Sequence, residues 1–175
     1  QAVRQANGSY TLEALSQTQG SLQLPDTEIS SGLISERADG PVPGYVAKRS
    51  ATGSKTDTPI IEIPQSISVV TREEVSAFKS QNLTDALAYT AGIYRSEGND
   101  RTADRLNLRG FGGDAIEGSI YRDGTRYMAN AFNGKQESYG LERIEVLKGA
   151  ASVLYGSAAP GGNINTVTKR TDVGM

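Results

Sequence analysis

The sequence predicts a small mixed α/β domain: a short mixed β-sheet, short helices and long Gly-rich loops, preceded by a flexible N-terminal segment. Three observations predict it. From about residue 58 onward, stretches with the period of a strand alternate with stretches with the period of a helix. An Asp-Gly pair at 123–124 joins two strand-like runs, a hairpin signal because both central residues of a type I′ turn need positive φ. Glycine reaches 20 residues, most of them after position 90, so much of that half is turn and loop. The strands are too short and too closely linked by hairpins for a doubly wound parallel sheet.

Residues 1–20 are polar, with one alternating patch at Tyr10, Leu12 and Leu15 that suits the last strand of a preceding domain or a tail. Residues 21–57 are rich in Ser, Gly, Thr, Asp and Pro, including Pro25, Gly32, Gly40, Pro41, Pro43, Gly44 and Gly53, and read as an extended, mobile linker. Order is expected from residue 58 to residue 170. IIEIPQSISVV carries β-branched residues bounded by prolines, as a strand does. Thr71 followed three positions later by Glu74 is a capping-box pattern, and Val75 and Phe78 then lie about one turn apart on one helical face. LTDALAYTAG forms a second helix with Leu83, Ala86 and Leu87 on one side, stopping at Gly92 in the left-handed conformation. Short strands follow in GIYRS, RLNLRG, SIYR and TRYM. Arg143-Ile144-Glu145-Val146 alternates as a strand, AASVLYG makes one or two helical turns, and NINTVTK alternates again.

Composition narrows the function. A formal charge of −2 with acids and bases interspersed leaves no basic stripe to neutralise phosphates, which argues against nucleic acid as a partner. No apolar run approaches the roughly 18 residues that a membrane-spanning helix needs. The opening QAVRQANGSY is polar and unlike a signal peptide, so the chain reads as mature or trimmed. Cysteine and histidine are both absent, which removes disulfides, thiolate nucleophiles, Cys/His zinc sites and the commonest general base together. With no nucleophile–base pair, P-loop or metal motif, the chain reads as a binding or interaction module and not as an enzyme, with no cofactor of its own.

Four blocks carry a resemblance. Leu141 to Arg170, LERIEVLKGAASVLYGSAAPGGNINTVTKR, resembles the end of the plug domain of TonB-dependent outer-membrane receptors, where the chain passes into the first barrel strand. Upstream and in the family's order stand DTPIIEIPQSISVVT from Asp57, LTDALAYTAGI from Leu83, and LRGFGG with YRDG from Leu108 and Tyr121. IPQSISVVT together with AKRSATGSKTDTP is most similar to receptors for ferric siderophores, hydroxamate importers of the ferrichrome kind in particular. The resemblance implies a plug domain over residues 58–170 and the start of a β-barrel at 171–175. It implies an outer-membrane location with the N-terminus in the periplasm, and an iron(III)–siderophore complex as ligand. Iron would arrive already chelated, in keeping with the missing His and Cys. A wide barrel has an open lumen, so a selective receptor must plug it. Another ligand of the same family (cobalamin, haem or sugar) is the alternative, and a stand-alone periplasmic binding module is the alternative outside it.

The resemblance also implies sites. Leu106 and Leu108 share one strand face, and Arg109 joins Asn107 on the other. In the family, the arginine at that place and a basic residue at the place of Lys148 pair with barrel carboxylates, and Glu142 and Arg143 are expected to join the cluster. Ser96 to Asp104, Phe111 to Glu117 and Tyr127 to Gly134 are expected to be apical loops facing the ligand, with Tyr127, Asn130, Phe132 and Asn133 able to stack on a chelate or hydrogen-bond to it. Pro25, Asp26, Thr27, Glu28, Ile29, Ser30 and Ser31 resemble the TonB box in position and in their Thr-x-Ile core, though not in the commoner valine-rich form. Such a segment is captured by adding a strand to a sheet edge of TonB, the inner-membrane energy transducer. GSYTLEAL with SLQLPDTEIS is similar to the end of the periplasmic signalling domain of receptors that also control transcription, which implies an anti-sigma regulator as a further partner.

Overall fold

The computed structural model describes residues 2–4, 10–12, 36–96, 102–130, 133–157 and 159–170. The chain divides into two compact units, Gln1–Ile34 and Ser35–Met175. In the first, β1 (Ala2–Arg4) pairs antiparallel with β2 (Tyr10–Leu12), Val3 opposite Thr11. The alternation read around Tyr10 and Leu12 is therefore a strand in a two-stranded ribbon.

The second unit is built on a five-stranded mixed sheet. Its elements in chain order are β3 (Arg49–Ser50), β4 (Thr58–Pro59), β5 (Ser66–Thr71), α1 (Arg72–Ala77), α2 (Leu83–Ala86), β6 (Ile93–Arg95), β7 (Leu106–Leu108), β8 (Phe111–Gly112), β9 (Ile120–Arg122), β10 (Thr125–Arg126), β11 (Leu141–Lys148), α3 (Ser152–Tyr155) and β12 (Gly162–Thr168). The large sheet runs β10-β9-β12-β11-β5, with β12 parallel to β9 and every other pair antiparallel. A three-stranded antiparallel sheet, β6-β7-β8, stands beside it, and β3 pairs with β4. The main core gathers Leu83 and Leu87 with Leu106, Leu108, Ile120, Ile144, Val146 and Ile164, each 2% exposed or less. Truncating any of the leucines or isoleucines to Ala would cost about 2–5 kcal/mol. The two sheets meet so closely that a Cβ on Gly161 would lie 2.0 Å from the carbonyl oxygen of Leu108. Only glycine fits at that approach.

Local signals hold where they rest on turn and cap chemistry. The Thr71 hydroxyl accepts from the Glu74 N–H at 3.3 Å and opens α1. Asn82 does the same for Asp85 at 2.8 Å and opens α2. Asp123 and Gly124 take φ of +49° and +77° at the tip of the β9–β10 hairpin. Gly92 takes φ of +84° but does not end the helix, which stops at Ala86 with Leu87 as its C-cap and gives way to turns. Two further expectations change. Ile60–Glu62 is a single 3-10 turn with Ile61 exposed, so the strand starts only after Pro64, which has no N–H to give a ladder. Phe78 does not share the buried face of Val75: it caps the C-terminus of α1, is exposed, and packs its ring 5.1 Å from that of Tyr89.

The linker reading does not extend to residues 36–57. Ala38, Val42, Ser50 and Thr52 are buried, and β3 lies within this stretch. The Glu36 carboxylate accepts from the N–H groups of Lys48 and Arg49 at 2.7 and 3.1 Å, closing the stretch on itself. Asp57 accepts from the Ala38 N–H at 2.9 Å and from Arg49 Nε at 2.7 Å. Composition suggested a linker because this strap is held by polar groups and few apolar ones. Among the described residues, no helix is long and apolar enough to cross a membrane.

Candidate functional site

Arg109 and Lys148 come together. Arg109 and Gly110 form the two-residue connection between β7 and β8, with φ of +52° and +85°, the double positive of a type I′ turn. The Arg109 N–H donates to the Gly92 carbonyl at 2.8 Å, which fixes the turn against the end of the α2 region. Its guanidinium Nη1 lies 3.5 Å from where a Cβ on Gly149 would stand, beside Lys148 at the end of β11. Burial holds the Lys148 ammonium below its ordinary pKa, and the Arg109 charge pushes the same way. Among the described residues, no ion pair neutralises either group. Two cations thus stand close together, one on the β7–β8 turn and one at the end of β11.

Glu142 and Arg143 are not part of that pair of cations. Glu142 lies six strand positions from Lys148, about 20 Å at the rise of a strand. Glu142 instead approaches Arg72 at 3.7 Å. Arg143 lies on the face of β11 opposite to Ile144 and Val146 and is fully buried, its Nε 3.1 Å from Glu145 Oε1. Its Nη groups donate to the carbonyls of Arg49 at 3.5 Å and Arg37 at 3.3 Å. A side chain so enclosed has no route to a partner outside the chain.

That enclosure is a second constellation, which the sequence reading missed. Glu145 Oε2 accepts from the hydroxyls of Ser50, at 2.7 Å, and of Thr52. Asn165 Nδ2 donates to Thr52 Oγ1 at 2.9 Å, and its Oδ1 accepts from the Gly124 N–H at 3.0 Å. The Tyr155 hydroxyl donates to the Thr52 carbonyl at 2.8 Å, while Lys55 Nζ sits 3.4 Å above the Tyr155 ring. The strap is thus pinned to the polar face of β11 and β12.

The loop residues divide. Tyr127 is half-buried, packed against the core, with the Arg122 guanidinium 4.7 Å from its ring centre. Asn133 Oδ1 accepts from the Asn130 N–H at 3.2 Å, so this amide braces its own loop. Phe132 and residues 25–31 lie outside the described residues. The roots of two loops meet at Asp104, which is 3% exposed and also went unread in the sequence. Its Oδ1 accepts from the N–H and hydroxyl of Thr84 at 3.3 and 3.0 Å, and its Oδ2 from the Gln136 N–H at 2.6 Å.

Comparison with known proteins agrees with this architecture. The family described as the TonB-dependent receptor plug domain matches residues 59–163. The ferrichrome outer membrane transporter/phage receptor of Escherichia coli K12 is 43% identical over 137 residues, 77% of this chain and 18% of that protein. The ferrioxamine receptor of Yersinia enterocolitica is 36% identical over 149 residues, 83% of this chain and 21% of that protein. Among solved structures, the pyoverdine outer membrane receptor FpvA from Pseudomonas aeruginosa PAO1 bound to pyoverdine superposes with a TM-score of 0.61 at 30% identity, over 72% of this chain and 18% of that one. The chain therefore spans about a fifth of the length of the curated relatives it matches. The match takes in the α1 cap, the Asp-Gly hairpin, the Arg109 turn and all of β11, and the chain belongs to the TonB-dependent receptor plug domain family.

Proposed function

We propose that the chain is the plug and energy-coupling region of a TonB-dependent outer-membrane receptor that binds and imports a ferric siderophore. The observation that carries this reading is the likeness of its folded unit to the ferrichrome and ferrioxamine receptors, over more than three quarters of the chain. In this reading the plug sits inside the receptor's own C-terminal β-barrel, with its N-terminus in the periplasm. Arg109 and Lys148 seat it against barrel carboxylates, a task suited to the bidentate fork of arginine with lysine as the weaker member. The loops at 96–104, 111–117 and 127–134 face the chelate, with Tyr127, Asn130, Phe132 and Asn133 as the residues offered to it. Glu142 and Arg143 are left out of the seat because their charges are engaged within the chain.

Energy reaches the outer membrane through TonB, and the coupling segment is Pro25, Asp26, Thr27, Glu28, Ile29, Ser30 and Ser31. An anti-sigma regulator is a further partner where a signalling domain precedes the chain. Proline at a paired strand position removes a ladder donor without touching a ligand pocket. Ile29→Pro in the receptor is expected to abolish uptake of iron-loaded ferrichrome by cells while leaving its binding to them intact. Unimpaired uptake would move the coupling segment to Leu33-Ile34. Absence of binding by the unaltered receptor to any of a panel of ferric hydroxamates would remove the siderophore class.

A further inference from the structure

The structure assigns to Asp104 the role of a positioning residue that fixes the root of the 96–104 loop against the root of the 127–134 loop, an assignment resting on the reading of both loops as ligand-facing.

Asp104 closes the first loop, and Gln136 follows the second. Between them run the Gln136 N–H to Asp104 Oδ2 bond at 2.6 Å and a backbone bond from Lys135 N–H to the Thr102 carbonyl at 3.1 Å. A third segment joins them, because Thr84 at the start of α2 gives both its N–H and its hydroxyl to Asp104 Oδ1, and the Leu83 N–H donates to the Gln136 carbonyl at 3.2 Å. Gln136 carries the junction into the large sheet, its Oε1 accepting from Arg122 at 2.9 Å and from Thr166 at 3.2 Å.

The residue type follows from the donors. Backbone N–H groups reach Asp104 from two segments, one at each oxygen, and a carboxylate accepts at both. Asparagine is the same size but has one acceptor oxygen. Whichever way its amide turns, the N–H of Gln136 or that of Thr84 loses its partner, and an orphaned buried donor is costly.

Burial raises the Asp104 pKa above the ordinary carboxylate value, although the bonds from Gln136 and Thr84 and the charge of Lys135 oppose it. Asp85 on α2 and Arg95 on β6 line the same cleft of about 400 Å³ but pair with each other at 3.0 Å, and Lys135 is shared with Glu137 at 3.4 Å. Opening the junction hydrates Asp104 and returns its pKa toward the ordinary value. A raised pKa in the closed form therefore means that the closed junction is favoured at low pH and loses that advantage as pH rises through the raised value.

Amide exchange on the 175-residue chain across a pH series, with intrinsic rates divided out, tests the assignment. Asp104→Asn is expected to speed exchange at Thr84, Lys135 and Gln136 by roughly tenfold or more, leave Ile144, Val146 and Ile164 unchanged, and erase the fall in junction protection with rising pH. Thr84→Val should affect the same amides less, and Thr84→Ser should leave them as in the wild type. An equal rise across β11 and β12, unchanged junction amides, or a pH response that survives Asp104→Asn would overturn it. The ligand reading fails separately: a receptor with a protected junction that binds no iron-loaded ferrichrome loses its ligand loops but keeps this junction.

Discussion

Arg143 and Glu145 stand two residues apart on one face of β11 and meet at 3.1 Å with side chains 0% and 1% exposed. The contact is an ion pair by distance, while Arg143 Nε and Glu145 Oε1 lack an aligned hydrogen bond. The alignment goes elsewhere: Arg143 donates to carbonyls of the strap, and Glu145 accepts from strap hydroxyls. Each charge is therefore satisfied mainly by residues 36–57. Removing the strap would leave both charges facing water, where they are easily hydrated, so this interface is held by polar bonds more than by apolar burial.

Breaking one side of such a pair is more damaging than removing both charges, because the survivor stays buried and unpaired. Glu145→Gln keeps an oxygen for Ser50 or Thr52 but strands Arg143, and is expected to lower stability by about 3 kcal/mol. Arg143→Met combined with Glu145→Gln should recover part of that loss. Guanidinium unfolding curves of the three chains decide it, and a double variant less stable than Glu145→Gln would refute the unpaired-charge argument.

The same strand shows what could be read from residues alone. Alternation of Arg143, Ile144, Glu145 and Val146 identifies a strand with one apolar face, and Ile144 and Val146 do enter the main core. Alternation says nothing about what covers the polar face, and composition disguised the cover as linker. The ladder also shifts register between Leu141 and Arg143, so the period of two could not have placed Glu142. Arg109 and Lys148 were legible through family blocks only, since their meeting depends on a turn at Gly110 and a close approach at Gly149. Asp104 had no signal at all, because its partners at Thr84 and Gln136 are distant in sequence.

The seat of like charges has a stability signature. Lys148 has a folded pKa below its unfolded one, so the fold gains from this group only as pH rises toward the ordinary lysine value of 10.5, and at neutral pH the charged ammonium is a burden. Lys148→Met should therefore stabilise the chain at neutral pH and low salt, by less than about 1 kcal/mol for so partly exposed a group. Burial supplies the larger part of that gain and is unaffected by salt, whereas the smaller part due to the Arg109 charge should fade near 1 M salt, where the screening length falls to about 3 Å. Melting curves at two salt concentrations test this, and a destabilised variant at low salt would mean that Lys148 has a partner within the chain.

Tyr155 offers a probe of the strap with a defined pH window. Burial above all pushes its hydroxyl up to about 12, with the nearby Glu145 charge adding to the shift, against an ordinary value of 10.0. The protonated hydroxyl holds the Thr52 carbonyl, so ionisation breaks a strap contact. A folded pKa above the unfolded one means that the stabilisation is complete below pH 10 and is lost as pH climbs to about 12. Tyr155→Phe keeps the ring beneath Lys55 and against Tyr121 at 4.6 Å, and so isolates the hydroxyl. The variant should lose about 1 kcal/mol at neutral pH and show a shallower decline of stability across the alkaline window than the wild type. Denaturant midpoints measured from pH 8 upward provide the comparison, and parallel curves for the two chains would detach the hydroxyl from the strap.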